Sequence, residues 1–159
     1  AAIEKAGSAD PAAVRDAQAV VAAMHALAVR VAVPHLTASD LDEMRAANAD
    51  FAAAQRRGDL DGAMDADARF HAVPVARSGN TAAAGVLAQY EPVLQRAERL
   101  RFASHEGAAS AERHERLIDL CADGDPEGAA ALAAEIWQTL PSASPTPALP
   151  SALSEQDLP

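Results

Sequence analysis

The sequence predicts an all-α fold, and three observations carry that expectation. Apolar residues recur at spacings of three and four through most of the chain, and no stretch alternates with a period of two among β-branched residues. Half of the residues are hydrophobic but only 3% are aromatic, and alanine supplies roughly a quarter of the chain. Apolar mass carried by small helix formers favours closely packed helices over sheets.

Residues 1–9 precede the first helix signal and read as a linker. Asp10-Pro11 then offers a cap and a first-turn proline, opening a helix that runs to about His35 with an apolar row at Val20, Met24, Leu27 and Val31. Thr37-Ala38-Ser39-Asp40 is a capping signal for a second helix, which Gly58 ends after Arg57. Asp59 caps a third, carrying Met64, Asp67, Phe70 and His71; Pro74 removes a backbone donor and is expected to kink or shorten it. After the break at Ser78-Gly79-Asn80 a fourth helix reaches about Phe102, with Pro92 a second expected irregularity. A fifth spans roughly Ala108 to Ala122, and Asp125-Pro126-Glu127 opens a sixth by placing a cap, an N1 proline and an acid at the helix N-terminus. From Pro141 to Pro159 the composition turns to Pro, Ser, Thr and Ala without a periodic face, the pattern of a disordered tail. The folded domain is therefore expected over residues 10–140.

Charge and composition exclude several classes. A net charge of -10 repels phosphate backbones, so the chain by itself is a poor nucleic-acid ligand. No uninterrupted run of eighteen apolar residues and no signal peptide is visible, which points to a soluble, cytoplasmic protein without membrane contact. The single cysteine, Cys121, has no partner for an internal disulfide and lies beside Leu117, Ile118 and Leu120, where a buried thiol is expected. The chain starts at Ala1 without an initiator methionine, as a processed or excised fragment would. There is no GxSxG elbow, GxGxxG, P-loop, HExxH or paired ExxH, so the chain is not expected to be an enzyme.

Asp67 and His71 are four apart, which on a helix puts both side chains on one face. Neutral imidazole and carboxylate together suit first-row divalent metals such as zinc or nickel, and equally a surface ion pair. His114 precedes Leu117, Ile118 and Cys121 at helical spacing and so lies on an inward stripe, where it needs a partner: a metal, or a backbone carbonyl. His25 lies beside Met24 and can face the bundle centre, whereas His35 and His105 sit near helix ends and are expected to be solvated. Arg96, Arg99 and Arg101 form a basic cluster that either clamps a carboxylate ligand or lies on a solvated face balanced by Glu91 and Glu98.

Four short motifs occur in order. They are Gly58-Asp59 leading to Asp67-x-x-Phe70-His71, then Ser78-Gly79-Asn80, then His114-Glu115-Arg116-Leu117-Ile118, and finally Gly124-Asp125 opening the last helix. In this order and at these separations they resemble the C-terminal ligand-binding (FCD) domain of FadR-type regulators in the GntR family of bacterial transcription factors, over about residues 15–140. The resemblance implies an antiparallel bundle of six or seven helices enclosing a ligand cavity. It implies a homodimer that senses a small organic-acid effector through a divalent metal, and that reads DNA only through a winged-helix domain this chain lacks. Carried over by position, Asp67, His71 and His114 are the metal ligands, and Arg96, Arg99, Arg101 and His25 are candidates for the effector. The chain departs from the pattern at Ile136, where the family's last metal histidine would stand, at Arg113 in place of a glutamate, and at His25, also in place of a glutamate. The first helix also lacks an expected arginine. The same residues could otherwise serve a metal-dependent helical-bundle enzyme, or merely pair within a metal-free interaction module.

Overall fold

A computed structural model describes residues 10–141, so the expected linker over 1–9 and all of the expected tail except Pro141 fall outside the described residues. Six α-helices and no strands are found among them: α1 (Pro11–Ala32), α2 (Ala38–Arg57), α3 (Leu60–Ser78), α4 (Thr81–Phe102), α5 (Glu106–Ala122) and α6 (Pro126–Gln138). A 3-10 turn over Val33–His35 extends α1.

Local chemistry fixes the boundaries. The carboxylates of Asp10, Asp59 and Asp125 accept backbone N–H groups at the starts of α1, α3 and α6, and Asn80 does the same for α4. At α2 the capping is reciprocal: Thr37 Oγ1 accepts the Asp40 N–H at 3.1 Å and Asp40 Oδ2 accepts the Thr37 N–H at 2.8 Å. Gly58 (φ 69°) and Gly79 (φ 64°) end α2 and α3 in the left-handed conformation that a side chain disfavours. These short connections turn the chain back on itself after each helix.

α1 is the central element, packed against α6, α4 and α3, while α2 lies against α3 and α5. A main core cluster includes Val21, Val29, Met44, Phe70, Leu94, Leu117, Ile118 and Trp137, and a second, around Phe51, Ala54, Ala66 and Phe102, closes the far end of α2 and α3. Cys121 is buried, as expected, and burial pushes its thiol up to about 11.

Packing adds to the sequence reading in three places. Of the apolar row Val20, Met24, Leu27 and Val31 on α1, Val20 and Val31 are exposed and Met24 packs against the core, while the buried positions include Ala17, Val21, His25, Ala28 and Ala32. Pro74 does not end α3, which continues to Ser78. An interior proline costs a helix about 3 kcal/mol, but this ring is fully buried, and apolar burial on the order of 2 kcal/mol offsets much of the loss. Pro11–His35 is, by length and mean hydropathy (1.5), apolar enough to cross a bilayer despite having no unbroken apolar run. Here that segment is a core helix whose inward face is covered by α6, α4 and α3.

Candidate functional site

Helical spacing on α3 turns Asp67, Phe70, His71 and Pro74 inward, and α5 brings His114 to the same point. Asp67 Oδ1 lies 3.1 Å from His114 Nε2 and 3.4 Å from His71 Nε2, and one donor atom from each of the three residues falls within 4.8 Å of the others. All three are buried. Phe70 stacks on the His114 ring at 4.1 Å and Phe51 meets it edge-on at 5.2 Å, which fixes the imidazole in place.

Asn48 of α2 decides which His114 nitrogen carries the proton. Its Nδ2 donates to the Ala111 carbonyl (3.1 Å) and to Glu115 Oε1 (2.7 Å), so Oδ1 must be the atom that faces His114 Nδ1 at 2.9 Å. That contact is a hydrogen bond only if Nδ1 donates. In the neutral ring Nε2 then presents a lone pair to the Asp67 carboxylate, an acceptor against an acceptor. Burial keeps His114 neutral, outweighing the pull of Asp67 in the other direction. His71 Nε2 is buried without a hydrogen-bond partner. Burial alone would raise the Asp67 carboxyl, but the adjacent His71 holds it below the usual carboxylate range.

A divalent cation fits this set. Ligands at about 2.0–2.2 Å from a metal stand roughly 3–3.5 Å from one another, and the two contacts of Asp67 Oδ1 are 3.1 and 3.4 Å. A cation would also give the facing lone pairs and the orphaned nitrogen a common partner. The Asn48 bond to Nδ1 orients the His114 ligand as carbonyls and carboxylates commonly do at metal sites.

The cluster stands in a wall shared by two cavities. A chamber of about 10 Å³, no larger than a water molecule, is lined by Asp67, His71 and His114 together with Arg101, Arg113 and Ile136. A cavity of about 380 Å³ lies between α3 and α4, with His25, Glu91 and Leu87 in its wall. Asp67, His71, Glu98 and Trp137 line both.

Arg96, Arg99 and Arg101 do not converge on one point. Arg96 and Arg99 are exposed on α4, and Arg99 pairs with Asp61. Arg101 alone turns inward, where Nη1 donates to the Ile136 carbonyl (2.6 Å) and Nη2 to Thr139 Oγ1 (3.0 Å). The three arginines cluster along α4 in sequence, but a step of two residues turns about 200° around a helix, so Arg99 and Arg101 lie on opposite faces. His25 does face the bundle centre: its Nε2 bonds Glu91 Oε1 at 2.8 Å and its ring stacks on Trp137 at 4.7 Å. Burial lowers its pKa, so it donates as a neutral ring.

Sequence reasoning passed over Asn48 and Trp137, noted Arg113 only as standing in place of a glutamate, and considered Glu91 and Glu98 only as balancing charges on a solvated face. Glu98 is 8% exposed and makes no hydrogen bond or ion pair among the described residues. Burial, helped by Asp67 and Glu91, pushes its carboxyl up to about 8. For Asn48 a signal existed: it is a polar residue on the Met44, Ala47, Phe51 stripe of α2.

A family model described as FCD domain matches residues 16–139. No curated protein and no solved structure matches the chain.

Proposed function

The chain belongs to the FCD domain family, and from that premise we propose that it is the effector-sensing and dimerisation domain of a FadR-type regulator of the GntR family. FCD domains are the effector-binding and oligomerisation domains of GntR regulators, which are transcription factors rather than enzymes. In this reading a divalent metal, zinc or nickel, is held by Asp67, His71 and His114. The metal would supply a Lewis-acidic point for a carboxylate oxygen of a small organic-acid effector. Arg101 and Arg113 stand on the same chamber and give that side of the cluster its positive charge. Arg113 Nη1 is buried without a partner and so has a donor to offer. We place the domain in the cytoplasm, with DNA contact made through a winged-helix domain outside this chain, in keeping with a net charge of -10.

The observation that carries the reading is the lone-pair convergence at Asp67. A purely structural bundle has no reason to set a buried carboxylate against an unprotonated imidazole nitrogen. The test is the melting temperature of the zinc-loaded and chelator-treated protein across short mono- and dicarboxylic acids, with light scattering at micromolar concentration. Zinc-dependent shifts, lost in His71→Ala, and a particle of two chains are expected. Absence of any shift in either form would remove the sensing assignment, and a strictly monomeric particle would remove dimerisation.

A further inference from the structure

We propose that the larger cavity, between α3 and α4, takes a small ligand that carries a protonated amine, seated between Glu91 and Glu98. This rests on the sensing reading and specifies the class of molecule sensed.

The cavity measures about 380 Å³, and the charged side chains in its wall are Asp65, Asp67, Glu91 and Glu98. Among the described residues no lysine or arginine lines it. Arg101 and Arg113 face only the small chamber on the other side of the shared wall. Apart from a cation held at Asp67 and His71, an anion entering the larger cavity would meet only acidic side chains, whereas a ligand cation would meet a complementary wall in a chain whose net charge of -10 already draws cations.

Glu98 supplies an independent argument. A buried carboxylate is ordinarily paired, yet Glu98 is 8% exposed, lines the cavity and has no partner among the described residues. The metal cluster does not account for it, because the donor atoms that gather within 4.8 Å are those of Asp67, His71 and His114. Glu91 is poised in a similar way. One carboxylate oxygen accepts from His25 Nε2 at 2.8 Å, while its side chain remains 38% exposed, leaving the second oxygen for another donor. His25 holds that carboxylate in place and is itself fixed by its stack on Trp137. Leu87, Val75 and Pro92 complete the wall with apolar surface suited to a short aliphatic body. The ligand is thus an alkylamine, or an amino acid whose carboxylate also reaches the cation at Asp67, His71 and His114.

Three probes of one chain length separate these sources: n-butylammonium, 4-aminobutyrate and butyrate, each added to zinc-loaded and to chelator-treated protein and followed by melting temperature and calorimetry. Shifts with n-butylammonium in both forms point to the plain amine, and a zinc-dependent shift with 4-aminobutyrate alone points to the amino acid. Either supports the proposal, provided Glu98→Gln weakens binding about tenfold or more. Glu91→Gln should do the same. Its site is more exposed, so it carries the test should Glu98→Gln fail to fold. Arg96→Gln, on the outer face of α4, should leave binding unchanged. A shift with butyrate alone overturns the amine assignment and leaves sensing intact. An amine shift that survives both glutamine substitutions also overturns it. No shift with any probe in either form overturns the amine assignment and counts against sensing too.

Discussion

Ile136 is 6% exposed and lines the small chamber with Asp67, His71 and His114, so a side chain at this position borders the same space as the three donors. The chain therefore brings three ligands where one more imidazole would fit, and three-ligand sites hold metal with an open position. Ile136→His is expected to tighten zinc binding about tenfold or more, while loss of buried aliphatic contact lowers the stability of the metal-free protein by roughly 2 kcal/mol. Because both imidazoles would serve one ion, His71→Ala in the Ile136→His background should erase the gain. Titration calorimetry on wild type, both single variants and the double variant checks this, and equal affinities in all four would refute it. Asp67, His71 and His114 were legible in the sequence because the spacing of an Asp and a His on α3 and an inward stripe on α5 are local patterns. Glu98 was not. Glu91, Leu94, Glu98 and Arg101 read along α4 as a mixed surface face, and only the positions of α3 and α6 decide that Glu98 and Arg101 are buried.

Whole helices were predicted well where caps and glycines mark them and poorly where packing decides. Asp10, Thr37, Asp59 and Asp125, read as caps from the sequence, do cap their helices, because the bond to the N2 or N3 amide is a local affair, and Asn80, read only as part of a break, caps α4 in the same way. On α1 the buried row stands one residue on from the row Val20, Met24, Leu27 and Val31, a rotation of about 100°. When a helix is apolar nearly all round, residue size does not reveal the buried side. Here α6 and α4 press on the row Ala17, Val21, His25, Ala28, Ala32, where small residues allow close approach, and Val20 and Val31 are left outside. Asp40 joins two elements: besides its place in the α2 capping box it accepts from Arg77 Nε at 2.8 Å and Nη2 at 2.9 Å, tying α2 to the end of α3. The Arg77 guanidinium and the Thr37 amide lower its carboxyl from 3.8 to about 2. A carboxylate depressed on folding contributes stability that is present above its ordinary pKa and lost as pH falls through the folded value. The excess melting temperature of wild type over Asp40→Asn should therefore be full at pH 6 and shrink between about pH 4 and pH 2. Thermal melts across that range read the difference directly, since the other carboxylates titrate alike in both proteins. A difference independent of pH would show that Asp40 acts through shape alone.

Across the whole molecule, the backbones of α3 and α5 stay apart and the two helices meet through Asp67, Phe70 and His71 against His114; each packs on α2, and the helices of the site are otherwise held together through α1, α4 and α6. Asp67 and His71 belong to α3 and His114 to α5, so a bound cation would add a coordinate link to the ring stacking and polar contact that already join the two helices. Such a link stabilises the native state because the unfolded chain cannot hold three donors, separated by a long loop, at one point. At a free zinc concentration one hundred times the dissociation constant, mass action gives about 2.7 kcal/mol, which for a domain of this size is a rise in melting temperature on the order of 10 °C. Chelator should reverse it. Hydrogen exchange should slow most around Asp67 to His71 on α3 and around His114 on α5, the segments the ion joins. His114→Ala removes the α5 donor but leaves Asp67 and His71 together on one helix turn, so residual zinc could bind there without bridging anything. That variant is expected to lose the rise in melting temperature and the added protection of α5 even at zinc levels that still occupy α3. A full zinc-induced rise in His114→Ala would place the stabilising ion elsewhere and refute the bridge between the two helices.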